Sequence, residues 1–268
     1  MTPWAPASLV VVQASTFEDR RPGDYLIRLA ASDLGKSFKS LARAEMAICP
    51  GDVVVDLGCG PGADLPAFAG AVGGSGRVIG VDSDPVAVGQ ARARTAGLPQ
   101  VEVREGDVLA PGIPAASADR VHTDRVLQHV AEPGTALAQA RRILRDGGTA
   151  VFAEPDWDTL VIDYPDVATA RAYTRYITDH VVRNATLGRQ LARLAAQAGF
   201  HVGNVIPVTA VFRDARAADQ ILGIQRVTGR AVDARYLTQD CANQWLAYLA
   251  TQPFFASATL YIVTATAS

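Results

Sequence analysis

The sequence is short of lysine: Lys36 and Lys39 stand against arginine for the rest of its 25 basic residues. That bias, with abundant alanine, points to a GC-rich genome and says little about mechanism. Excess charge is also missing. The formal net charge is -2, which removes the electrostatic case for nucleic acid as the main partner. Cysteine is scarce; Cys49, Cys59 and Cys241 are odd in number and widely spaced, so neither a disulfide framework nor a metal-ligand spacing is present. No uninterrupted apolar stretch is long enough to span a bilayer. The short run Leu9 to Val12 has no basic residue before it and does not read as a signal peptide. The expectation is a reduced, cytoplasmic protein.

What is present is enough for one large α/β domain. The chain has 268 residues, 49% hydrophobic and 19% charged, and a full core is expected. It is organised around Val53 to Leu65, VVVDLGCGPGADL. The valine run reads as a strand buried on both faces. It ends at Asp56, with Gly58, Gly60 and Gly62 at alternate positions and a helix opening at Ala63. A strand, a glycine turn and a helix start form a ligand cradle, because glycine lets the backbone come close and the helix start offers free N–H groups. Cys59 lies inside that turn, where a small residue is needed.

Four more short apolar strands follow, at Arg77–Val81, Val101–Arg104, Ala118–Thr123 and Thr149–Ala153. Helices alternate with them: Ala63 to about Val72, Pro85 to about Ala96 with Asp84 as N-cap, and Pro133 to Arg145. This pattern predicts a mostly parallel sheet covered on both faces, with the acidic strand ends on its ligand-binding carboxyl edge. Ahead of it, residues 1 to about 22 read as an arm or lid. Two helices follow, one with Tyr25, Leu26, Leu29 and Ala30 on a face, the other with Phe38, Leu41 and Ala42. The alternation breaks at 156–184, an inserted segment carrying Trp157, Tyr164, Tyr173, Tyr176 and His180. Then come an amphipathic helix Thr186–Ala198, a strand His201–Phe212, two helices over 214–250 and a last strand Phe255–Thr266. The two late strands are expected to pair antiparallel at one edge of the sheet.

Gly58-x-Gly60-x-x-Ala63 also satisfies the dinucleotide pattern, with Asp82 at the spacing of a ribose contact. Three features tilt the choice. Asp56 can receive an ammonium and would repel a pyrophosphate. Asp82 can take both hydroxyls of a ribose. Asp107, in Gly106-Asp107-Val108, can accept from an adenine amine while Val108 packs on the ring. Ammonium, ribose and adenine without phosphate describe S-adenosyl-L-methionine.

On these motifs the chain resembles the class I S-adenosylmethionine-dependent methyltransferases, including the ubiquinone and menaquinone C-methyltransferases and many small-molecule methyltransferases. The stretches are VVDLGCGPG, GVDSDP, EGDV, ADRVHTDRVLQHV and RRILRDGGTAVFAEPDW, covering about Gly51 to Trp157. The resemblance implies a Rossmann-like α/β fold, a seven-stranded mostly parallel sheet with the last strand antiparallel. From the helical pattern before the first strand, residues 1–50 would cover the cofactor site or, equally, only an edge of the sheet. Residues 51–268 would form the methyltransferase domain, with helical insertions near 156–184 and 214–250. The resemblance further implies that Asp56, Gly58, Gly60 and Gly62 hold the methionine part, and that Asp82 with Ser83 holds the ribose. Gly106, Asp107 and Val108 would frame the adenine. Thr123, Asp124 and Arg125 would line the methionine side, with Tyr25 reaching the carboxylate.

His129, just past strand four, is the candidate base, because imidazole titrates near neutral pH; an equal alternative is that it packs its turn. Glu154, Asp156 and Asp158 are weaker candidates that can equally cap the inserted segment. His180 reads as helix-face packing, His122 as a satisfied core residue, His201 as structural, and Arg216, Arg226, Arg230 and Arg235 as a solvated face. No metal is expected. The predicted activity is methylation of a small molecule, an aromatic or polyketide-like secondary metabolite, with oxygen slightly favoured as acceptor. A quinone-type C-methyltransferase and a family member catalysing something other than methyl transfer remain alternatives. An NAD-dependent oxidoreductase is disfavoured by Asp56 and by the lack of a Tyr-x-x-x-Lys pair. The expected partner is the small-molecule substrate, not nucleic acid or membrane, with a homodimer left open.

Overall fold

Valine-containing segments bounded by glycine and acidic residues form one half of a sheet. In the computed structural model, which describes residues 33–267, these are β1 (Val53–Leu57), β2 (Arg77–Asp82), β3 (Val101–Glu105) and β4 (Ala118–Asp124). β5 (Leu144–Ile162), β6 (Phe200–Phe212) and β7 (Ala256–Ala267) complete seven strands in the order β3-β2-β1-β4-β5-β7-β6. β7 runs antiparallel to both neighbours; the other pairs are parallel. This is the expected class I architecture. Asp56 stands abreast of Gly80 on one side and His122 on the other, so the ends of β1, β2 and β4 share one edge.

Nine helices are described: α1 (Asp33–Met46), α2 (Leu65–Val72), α3 (Pro85–Thr95), α4 (Pro133–Ile143), α5 (Val167–Tyr176), α6 (Leu187–Gln197), α7 (Ala215–Leu222), α8 (Ile224–Asp233) and α9 (Gln239–Thr251). Asp84 accepts from the Val86 amide at 2.9 Å, with Pro85 opening α3, the geometry its sequence predicts. One core includes Leu137, Val121, Phe152 and Leu191. On the other face Met46, Phe68, Val88 and Val151 join. A third core, of Tyr173, Ile177, Val227 and Trp245, forms a helical cap.

Several boundaries differ from the sequence reading. α2 starts at Leu65 rather than Ala63, because the glycine turn occupies the intervening positions. β5 runs on past Ala153 to Ile162, since β7 gives it a partner as far as Ile162↔Ala256. Residues 214–250 hold three helices, not two: Gly223, at φ 58, separates α7 from α8. Leu41 is not on the buried face of α1; it is exposed, while Phe38, Ala42 and Met46 are buried at a four-residue spacing. His180, read as helix-face packing, lies in the π-turn Ile177–Val181; it is exposed, and its ring packs against those of Tyr176 and Tyr236. The helix expected around Tyr25 to Ala30, and the arm before it, lie outside the described residues.

Trp245 is fully buried and its indole N–H donates to Thr228 Oγ1 at 3.2 Å. Trp245→Ala is expected to cost about 3–5 kcal/mol in urea unfolding. A loss within the scatter of surface substitutions would show that the cap core does not depend on this ring.

Candidate functional site

The turn after β1 is shaped by contacts that only glycine permits. Gly58 has φ +76, and a Cβ there would stand 2.3 Å from a Val126 methyl; Gly62 has φ +75, with Ala91 3.0 Å away. The amides of Gly58 and Cys59 both donate to the Val81 carbonyl, at 2.7 and 3.0 Å. The Gly60 amide donates to Asp82 Oδ2 at 2.7 Å, and the Asp84 amide to Asp82 Oδ1 at 2.9 Å. Asp82 therefore braces the turn while keeping acceptor capacity on both oxygens. Beside it, the Gly106 amide donates to the Asp82 carbonyl at 2.9 Å. Asp107 is exposed and accepts from the Leu109 amide at 2.9 Å, Val108 is buried, and Ser83 is exposed.

The ends of β1 and β4, with Lys39 of α1 and the residues leading into α2, line a small open recess. His122 Nδ1 lies 2.8 Å from Asp56 Oδ1 in a fully enclosed pair. Burial opposes the imidazolium, but the Asp56 carboxylate outweighs it and raises the His122 pKa. Lys39, reaching in from α1, bridges Asp64 and Asp124, the second at 2.6 Å. Burial alone would lower the lysine pKa; the two carboxylates reverse that and keep the ammonium charged. Burial would likewise raise Asp124, but the Arg125 guanidinium, 2.9 Å away, and Lys39 hold it well below the usual carboxylate range. Arg125 takes a left-handed backbone, φ 58, and its guanidinium lies 5.5 Å from the Phe38 ring centroid. Burial, then the charges of Asp56 and Asp82, push the Cys59 thiol far up, so it is inert.

Of the residues selected from sequence, the recess brings together Asp56, Gly58, Gly60, Asp124 and Arg125. Asp82, Gly106, Asp107 and Val108 adjoin it along the carboxyl edge. Gly62 shapes the turn from outside the lining. Thr123, one position out of phase with His122 and Asp124, does not line the recess; its hydroxyl is buried with no partner among the described residues. Tyr25 lies outside the described residues. His129 is exposed and off the recess lining; the crowding protein around it and the Arg125 guanidinium lower its pKa, which leaves the ring neutral at pH 7.

Sequence reasoning missed Lys39 and Asp64, and read His122 as core packing alone. His122 is a satisfied core residue, but it also lines the recess. Lys39 carried one available signal, being one of two lysines in the chain. Glu154 is fully buried and accepts from the amides of Val126 at 2.8 Å, Leu127 at 2.6 Å and Gln128 at 3.4 Å; burial raises its pKa to about 8 against their pull. Asp156 is fully buried too, and pairs with Arg189 of α6. Asp158 pairs with the same arginine at 3.1 Å. His201 and Arg216, Arg230 and Arg235 are exposed; Arg226 is half-buried. Among the described residues no group of three metal-ligating side chains is placed to hold an ion, and no helix is long and apolar enough to cross a membrane.

Comparison with known proteins agrees with this geometry. Residues 48–199 match the family model described as a methyltransferase domain. An uncharacterized 37.1 kDa protein in transposon TN4556 of Streptomyces fradiae is 53% identical over 97% of this chain and 76% of its own length. An aklanonic acid methyltransferase of Streptomyces sp. strain C5 is 36% identical over 39% of this chain, which spans about half (49%) of that relative. Among solved structures, a putative methyltransferase from Bacillus halodurans superposes with TM-score 0.64 at 17% identity, covering 86% of this chain and 98% of its own. The chain belongs to the class I S-adenosylmethionine-dependent methyltransferases. Their cofactor is S-adenosyl-L-methionine, and the nicotinamide alternative falls away.

Removing the Lys39 ammonium leaves two buried carboxylates facing each other. Lys39→Met is expected to cost about 3–5 kcal/mol in urea unfolding. Adding Asp64→Asn and Asp124→Asn should recover part of that loss; no recovery would show that Lys39 acts through packing.

Proposed function

We propose that this chain methylates a small molecule, an aromatic or polyketide-like secondary metabolite, with an oxygen acceptor favoured over carbon. The observation that carries this reading is the cap. Trp157, Tyr173, Tyr176 and Trp245 pack into a core of their own, built on the part of β5 that extends beyond the carboxyl edge. These rings are buried, so the cap acts as a firm apolar-cored wall beside that edge, and in this reading the substrate against it is compact and largely apolar. The likeness to a relative named for aklanonic acid points the same way.

The donor groups fit the cofactor. Asp56, Asp64, Asp82, Asp107 and Asp124 make the edge acidic, and the recess cations Lys39 and Arg125 are already paired with carboxylates. Such an edge receives an ammonium, a sulfonium and a diol, and disfavours a pyrophosphate. Bound there, S-adenosylmethionine supplies a methyl group already activated on sulfur. In this reading Asp56 and the turn of Gly58, Gly60 and Gly62 hold the methionine part, with Thr123, Asp124, Arg125 and Tyr25 alongside. Asp82 and Ser83 hold the ribose, and Gly106, Asp107 and Val108 frame the adenine. His129, neutral at pH 7, takes the proton of an acceptor hydroxyl. The chain's contribution is alignment and exclusion of water rather than covalent chemistry.

Calorimetric titration of the purified chain with S-adenosylmethionine, its demethylated product and NAD is expected to show binding of the first two only. A substrate screen should then give products heavier by one methyl group, and their structure tells oxygen from carbon. Asp82→Ala should weaken cofactor binding about tenfold or more; retained affinity would remove the ribose assignment. His129→Ala should lower turnover at unchanged cofactor affinity, and unchanged turnover would make His129 structural.

A further inference from the structure

The segment after β4, residues 125–130, belongs to no helix or strand, yet its backbone is tied at nearly every position. The Arg125 amide donates to the Ala153 carbonyl at 2.8 Å. A single buried oxygen, Glu154 Oε1, accepts from both the Val126 and Leu127 amides. Asn184, in the turn between α5 and α6, donates through Nδ2 to the carbonyls of Leu127 and Val130, at 2.9 and 2.7 Å. Its own amide donates to the Gln128 carbonyl at 3.0 Å. The Gln128 side chain donates to the Arg125 carbonyl and accepts from the Trp157 indole at 2.7 Å.

This shelf carries two groups that matter on the reading proposed above. Val126 closes on Gly58 in the cofactor turn, and His129 stands at the outer end. Arg125, at φ 58, also has to be held in a left-handed conformation that a side-chain-bearing residue disfavours. A loop with a strained entry residue keeps one geometry only if its surroundings over-determine it. Glu154 supplies the central acceptor for that purpose.

We propose that Glu154 is a positioning residue for methyl transfer: its carboxyl oxygen, accepting two consecutive amides, fixes the shelf that seats Val126 against Gly58 and presents His129. The inference rests on the methyltransferase reading of the preceding section. The acceptor, rather than the bulk or charge of the side chain, performs the role. Glu154→Met keeps the bulk and removes the acceptor; Glu154→Gln keeps a carbonyl oxygen at the same reach.

The test uses the full chain, hydrogen exchange read by NMR, and S-adenosylmethionine as the binding probe. In Glu154→Met the amides of Val126 and Leu127 should exchange about tenfold faster or more relative to those of Val54 and Val55 in β1. The His129 ring signal should move and cofactor affinity should fall, while Glu154→Gln restores most of each. Unchanged exchange in Glu154→Met, a uniform rise across all amides, or no rescue by Gln would overturn the proposal. Should Glu154→Met fail to fold, the wild-type chain decides: the Val126 and Leu127 amides must exchange as slowly as those of β1, and exchange at open-loop rates overturns the role. Failure of the wild-type chain to bind S-adenosylmethionine would instead overturn the methyltransferase reading, a result separate from the exchange data.

Discussion

Acidic side chains crowd the carboxyl edge of the sheet, and each must be compensated before the edge can hold a ligand. A parallel sheet ends all its strands on one side, so residues far apart in sequence meet there. The structure uses two kinds of compensation. Where the acidic groups face the recess they meet other side chains: Asp56 the His122 ring, and Asp124 the cations Lys39 and Arg125, with Lys39 shared by Asp64. Where they face the backbone they meet amides, as Asp82 does with Gly60 and Asp84, and Glu154 with Val126 and Leu127. The first kind sets the charge of the recess. The second sets the conformation of the loops around it.

The two kinds of loop are joined at one contact. Gly58 has no Cβ because Val126 occupies that volume, so the β1 turn and the β4 shelf fit only together. Asp82 braces one side of this contact and Glu154 the other. Neither side chain has to touch a reacting atom for its loss to be felt there. A displacement of the shelf by an ångström is enough to misplace a base or a methyl acceptor in an in-line displacement.

The fold was legible because its signals are local. Valine runs, the glycine turn, Asp84-Pro85 and the 3.6-residue stripe of α6 each declare an element within a dozen residues, and the motifs fix their order. What escaped depends on distance in sequence or on partners. Lys39 meets Asp64 across 25 residues and Asp124 across 85, and no pattern near Lys39 announces either. β5 extends to Ile162 only because β7 lies beside it. The π-turn at Ile177–Val181 has no proline or glycine to mark it, and His180 within it meets Tyr236 at 3.1 Å. His122 was read as core, which it is; that it is also a recess wall follows from its register beside Asp56, and register is not written in either strand alone.

The separation of the cap from the sheet bears on which changes reach the recess. The carboxyl edge around the recess is assembled from β1, β2, β3 and β4, whose packing is distinct from the cluster around Trp245 and Tyr173. The cap reaches the sheet through the extended ends of β5, β6 and β7 and through the Trp157 and Asn184 hydrogen bonds to the shelf. Changes inside the cap core can therefore be made without disturbing Asp56 or Asp82. Changes at Trp157 or Asn184 cannot, because those residues hold the shelf itself. On this arrangement the hydrogen bonds of Trp157 and Asn184 couple cap and shelf, so that a shift in one is a perturbation of the other.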